Sequence, residues 1–272
     1  MNTIWLSCLA ILTYLTTSAG LALRLKNNIV PNPPGKYRGR LLALGFCAAF
    51  LHAAALWPSL ITPQGMNLNF FNAASLIALL TAVVLLTSSI KQPVESLGIP
   101  ILPIAAGCIA LTVIYPNQAH NLSGGHWKLD LHILFSILAY SVLAIGAIQA
   151  LLLALQEKHL RNRQPGGFIR ALPPMQVMES LLFQMIGTGF SLLSAALLTG
   201  IIFIDDILAQ HLAHKTILSF IAWGVFAILL WGRWKFGWRG RTAIRWTLTG
   251  FTFLLLAYFG SKFVLELILN NV

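Results

Sequence analysis

A chain of 272 residues that is 57% hydrophobic and only 9% charged cannot cover a soluble surface, which takes roughly a quarter of charged residues. With a mean hydropathy of +0.79, an independent soluble domain is excluded and an integral membrane protein indicated. The net charge of +11 comes from eighteen Lys and Arg against seven Asp and Glu. These cations gather in short connections between apolar runs, so they read as topology signals and not as a nucleic-acid footprint.

A membrane-spanning helix needs about 20 apolar residues. Eight stretches meet that need, at about 3–24, 41–60, 70–90, 97–115, 129–156, 179–204, 214–235 and 242–270. The first resembles a leader only superficially. No basic residue precedes its apolar run and no convincing small-residue cleavage site follows, so it is expected to stay as a helix. Connections after odd-numbered spans hold Arg24, Lys26, Lys36, Arg38 and Arg40, then Lys91, then Lys158, Arg161, Arg163 and Arg170, then Arg233, Lys235, Arg239 and Arg241. The alternate connections hold only Lys128, with Lys215 at a helix edge. The positive-inside rule then places both termini outward, which in a bacterium would mean the periplasm. The expected fold is all-α: one polytopic membrane domain over 1–272, a bundle of eight transmembrane helices joined by short loops.

Taken along the chain, the chemistry-bearing residues are few. Cys8, Cys47 and Cys108 stand singly in apolar runs, without CxxC spacing, and read as small buried hydrophobes. His52 lies about eleven residues into the second span, or roughly 17 Å along its axis. A histidine at that depth needs a partner, whether a metal or an interhelical hydrogen bond. Trp127 sits at the outer boundary, as an aromatic-belt residue or as a platform for a flat ring. His132 follows just inside the fifth span, with Ser136 a turn further along the same face, and is the second candidate ligand. His120, His126, His211 and His214 also fall at or near the outer side. The segment Gly232–Arg241 is compact and basic, suited to anionic lipid, to a partner or to propionates. Lys262 and Glu266, a turn apart in the last span, form a possible pair. There is no Walker loop, GxSxG elbow, HExxH or paired-carboxylate arrangement, which sets soluble-type hydrolysis aside.

The last third of the chain carries an ordered set of short motifs. Pro173-Pro174-Met175 leads to Glu179-Ser180-Leu181, then Gly187-Thr188-Gly189-Phe190 to Leu198-Thr199-Gly200. Trp223, Gly237-Trp238-Arg239-Gly240-Arg241 and Tyr258-Phe259-Gly260 follow. This set resembles the CcsA-type cytochrome c assembly proteins, and among them the short YpjD-like inner-membrane branch related to HemX. The likeness is strongest over 129–270 and looser before it, through His52 and the run Asn67 to Ser75. It implies haem handling at the periplasmic face, with His132 in the place of a ligand histidine that precedes a tryptophan-rich loop. It also implies cytochrome c maturation proteins, or another membrane protein, as partners and haem b as the cofactor or cargo. The chain departs from the family in the loop itself: Ile204 to Ala213 holds no Trp, and Trp231 stands where longer members have a histidine. Those departures argue against full haem ligase activity, and leave water, His52 or a partner subunit as the second iron ligand. Three readings stand at this point: a haem-handling assembly protein using His132, His52 and Trp127; a haem-free accessory protein stabilising a partner complex; and a small-solute transporter. The last is disfavoured because the spans hold hardly any ionisable residue besides His52, where proton- or ion-coupled carriers usually need buried carboxylates.

Overall fold

The computed structural model describes residues 3–27, 36–62, 65–115, 121–123, 127–162, 172–203 and 213–260. Among these residues eight helices are long and apolar enough to cross a membrane. They are α1 (Thr3–Asn27), α2 (Lys36–Leu60), α3 (Phe70–Lys91), α4 (Gly98–Ile114, entered through a 3-10 turn at Glu95–Leu97), α5 (Trp127–Arg161), α6 (Met175–Phe203), α7 (Ala213–Phe236) and α8 (Gly240–Leu255). A π turn at Leu256–Gly260 continues α8. The helices therefore match the eight expected spans in number and order. Several run further at their basic ends: α5 continues to Arg161 and α6 begins at Met175. Residues 261–270 of the last expected span, with Lys262 and Glu266, lie outside the described residues, as do His120, His126, His211 and the 204–212 segment.

The chain divides into two compact units, Met1–Gly124 with Lys158–Pro174, and Gly125–Glu157 with Met175–Val272. In the first, α1 packs on α2 and α4, while α3 packs on α2 and α4. Tyr14, Leu21, Leu41, Ala48, Ala78, Ala82, Leu102, Ala105 and Ala106 form its core. Small residues let these helices approach closely, as membrane bundles require. A methyl group at Gly98 would lie 2.7 Å from Leu21 Cδ1, and one at Gly45 would lie 2.7 Å from Leu86 Cδ2. A small antiparallel sheet was not expected from the sequence: β1 (Ile61–Thr62), β2 (Gly65–Asn67) and β3 (Asn121–Ser123) pair in that order. It ties the α2–α3 connection to the segment beyond α4.

In the second unit α6 lies against α5 where Gly189 leaves room for Leu143, whose Cδ2 would be 2.6 Å from an added methyl. Gln149 Nε2 donates to the Met178 carbonyl at 2.9 Å across the same pair. Trp223 on α7 donates its Nε1–H to Ser194 Oγ on α6 at 2.8 Å and stacks on Phe190 with centroids 5.4 Å apart. The α7–α8 turn depends on Gly237 (φ 66°) and Gly240 (φ 53°), left-handed positions that residues with a Cβ rarely take.

Each unit carries an ion-pair clamp where the basic residues collect. In the first, Glu95 at the entry to α4 is held by Arg24 from the end of α1 and by Arg38 from the start of α2. Arg38 also donates to the Ser89 carbonyl. In the second, Glu179 near the start of α6 takes Arg239 at 3.2 Å and Arg233 at 3.4 Å. Arg233 also lies over the Phe183 ring, 4.6 Å from its centroid, and Arg241 meets Glu157 at 2.5 Å. Within the basic segment Gly232–Arg241, residues 232–236 close α7 and 240–241 open α8. Its three arginines are engaged with carboxylates.

Candidate functional site

The three residues singled out in the sequence fall in different settings. His52 is fully buried within the first unit. Its Nδ1 is 3.3 Å from the Tyr14 hydroxyl on α1, and its Nε2 is 2.8 Å from Ser75 Oγ on α3. Tyr14 also meets the imidazole edge-on, with centroids 5.7 Å apart. A hydroxyl can donate or accept, so both ring nitrogens are satisfied in either tautomer. One histidine thereby joins three helices. Toward the α2–α3 connection, Asn69 Oδ1 caps α3 by accepting from Asn72 N–H at 2.8 Å. Asn72 Nδ2 donates to the carbonyls of Ser59 and Asn67. This network lies on the Asn67-to-Ser75 run that carried the looser part of the family likeness.

His132 differs. It lies near the start of α5, at the end of the second unit opposite the Glu179 clamp. Its Nδ1 is 2.8 Å from the Ala196 carbonyl on α6, with Thr199 Oγ1 a more distant neighbour at 3.4 Å. A carbonyl only accepts, so Nδ1 must carry the proton, and the lone pair is left on Nε2. Among the described residues Nε2 has no hydrogen-bond partner. This is the arrangement in which a histidine binds a metal: one nitrogen orients the ring through a carbonyl while the other is free to ligate. The residue is half-buried.

Trp127 stands at the same end of the α5–α6 pair, exposed, with its ring 5.7 Å from that of Phe203. Lys128 Nζ lies over the same Phe203 ring at 5.6 Å. Trp127 packs on Phe203 and makes no ring contact with His132. Among the described residues no three His, Cys, Asp or Glu gather as a metal cluster.

Sequence reasoning passed over the partners that make these histidines what they are. Tyr14 and Ala196 come from other helices with no local signal, while Ser75, Thr199 and Gly200 entered only within the family-like motifs and not as histidine partners. Glu95, a lone acid at a helix entry facing basic runs, was missed as well, and Glu179 entered only as part of a family-like motif and not as an ion-pair centre.

A many-helix membrane bundle with an oriented, half-buried histidine at the end away from its arginines defines a polytopic membrane protein. The chain belongs to the cytochrome C assembly protein family, whose model matches residues 41–269. It is 30% identical to the inner membrane protein YpjD of Escherichia coli (strain K12) over 265 residues, covering 95% of this chain and 98% of that protein. It is 27% identical over 200 residues to the cytochrome c biogenesis protein CcsA of Prochlorococcus marinus (strain MIT 9515), covering 63% of this chain and 62% of that one. The CcsA of Chlamydomonas reinhardtii is 26% identical over 142 residues. No solved structure matches the chain. Eight spans and this kinship make it a multi-pass protein of the bacterial inner membrane.

Proposed function

We propose that this protein handles haem during cytochrome c assembly, holding the iron of haem b through His132 Nε2 on the periplasmic side. The observation that carries this reading is the His132 ring itself, its Nδ1–H tied to Ala196 O at 2.8 Å and its other nitrogen unpartnered among the described residues. Haem iron takes an axial imidazole, which donates the free lone pair. Trp127, exposed at the same end of α5, offers an apolar face next to such a ligand. Kinship to proteins named for cytochrome c biogenesis supports cytochrome c maturation proteins as the partners. The basic ends suit an inner leaflet rich in anionic lipid, although the ion pairs to Glu179 and Glu157 neutralise part of that charge. With no tryptophan in the 204–213 segment, the reading is carriage or presentation of haem without ligation. His52 acts as a second ligand only by giving up Ser75 or Tyr14, and the satisfied hydrogen bonding favours its structural role.

That same feature favours a second reading, a haem-free accessory protein in which His52 and His132 both serve packing. An absorption spectrum and pyridine haemochrome assay on protein purified from haem-replete cells separates the two. The haem reading expects a Soret band in the wild type that falls in His132→Ala. Wild-type protein that is colourless, and stays so after haem addition, leaves the accessory reading.

A further inference from the structure

We infer that Gly200 and Thr199 on α6 are positioning residues for the His132 ligand: they let the imidazole lie against the helix and hold the tautomer that leaves Nε2 free. The inference rests on the haem reading of His132 and extends it to residues that touch only the ligating ring.

Three observations converge on this stretch. Gly200 is buried, and a methyl group there would lie 3.1 Å from His132 Cε1 and 3.3 Å from Nδ1. Those separations are tighter than most carbon contacts, so a side chain at 200 would press the ring back by a few tenths of an ångström, and a branched one further. Ala196 O, one turn earlier on the same face, then accepts the Nδ1–H at 2.8 Å. Thr199 Oγ1 is 2.9 Å from the carbonyls of both Ala195 and Ala196, while its lone pairs face Nδ1 at 3.4 Å. The hydroxyl has a single proton and donates it to one of those carbonyls, so toward Nδ1–H it can act only as a second acceptor. Carbonyl and hydroxyl together make Nδ1 the protonated nitrogen.

The consequence is a locked ring with a single outcome. If the ring were displaced from α6, Nδ1–H would lose its carbonyl, the tautomers would become interchangeable, and the free lone pair would no longer have a fixed direction. Partners of this kind orient ligand histidines and raise their basicity, and losing one typically lowers metal affinity about 10- to 100-fold. Ala196 acts through its backbone and cannot be removed by substitution. Gly200 and Thr199 can.

The test compares wild type with Gly200→Ala, Gly200→Val, Thr199→Val and Thr199→Ser, each purified from haem-replete cells in detergent. Haem affinity, Soret and α-band positions, the reduction potential of the bound haem, and the melting temperature are measured on each. Gly200→Val is expected to weaken haem binding by about tenfold or more, with Gly200→Ala between it and wild type. Thr199→Val, nearly isosteric, is expected to shift the bands and the potential while melting like the wild type, and Thr199→Ser to restore both. Should Gly200→Val fail to accumulate, the Thr199 pair decides. The inference is overturned if wild type holds haem through His132 yet Thr199→Val, and Gly200→Val where it folds, keep wild-type affinity, bands and potential. Variants that lower only the melting temperature overturn it equally, since they reveal a packing role. A wild type that binds no haem removes the His132 reading, and this inference with it.

Discussion

His52 and His132 are the same residue type used in two opposite ways. With both nitrogens of His52 engaged, its removal strands the Tyr14 and Ser75 hydroxyls in a buried site, each at about 1–3 kcal/mol. His52→Ala is therefore expected to destabilise the protein by about 2–6 kcal/mol in detergent unfolding, more where the cavity does not collapse, without changing the haem spectrum. Equal stability with lost colour would move the ligand role to His52. Ser75→Ala, which orphans only one ring nitrogen, is expected to cost about 1 kcal/mol by the same measurement. From the sequence, His52 was legible as a buried polar residue needing a partner, because an imidazole inside an apolar span has nowhere to hydrogen-bond but to a neighbouring helix. Which partner it takes was not legible, since Tyr14 and Ser75 approach it only once α1, α2 and α3 have packed.

At the scale of elements, glycines and ion pairs fix how the helices meet. Gly189 sits where Leu143 crosses, and an alanine there would place its methyl 2.6 Å from the leucine Cγ. Gly189→Ala is expected to cost about 1–3 kcal/mol by overpacking, measured as a drop in unfolding midpoint. Glu95 serves two arginines from different helices and is about a fifth exposed, so it forms a small network more than an isolated surface pair. Glu95→Gln is expected to destabilise by about 1–2 kcal/mol, with the loss diminishing in high salt, whereas Arg241→Ala, half exposed against Glu157, should cost less than about 1 kcal/mol. Equal effects of the two would mean that the Glu95 clamp is no more than a surface pair. The helices themselves were readable because a continuous apolar run of this length has one solution in lipid. Their basic ends were read short: long Lys and Arg side chains continue a helix beyond its apolar stretch, as α5 does to Arg161. The three-stranded sheet left no trace, because strands of two or three residues are too short to show a period of two.

For the whole molecule, charge asymmetry carries the topology and the family supplies the context. Fourteen of the eighteen basic residues lie at connections that the positive-inside rule assigns to the cytoplasm. In a cysteine-free background, Gln164→Cys is expected to be shielded from an impermeant thiol reagent in intact spheroplasts and Gln64→Cys to react; the reverse pattern would invert the orientation. The proposed haem role stands on His132 offering Nε2 to the iron while Ala196 O holds its other nitrogen. It is tested most directly by purifying His132→Gly from haem-replete cells and recording its spectrum before and after adding free imidazole. A Soret band is expected in wild type that is lost in His132→Gly and returns with imidazole, because the small ligand enters the space the side chain left. A His132→Gly spectrum identical to wild type, with no response to imidazole, would contradict it.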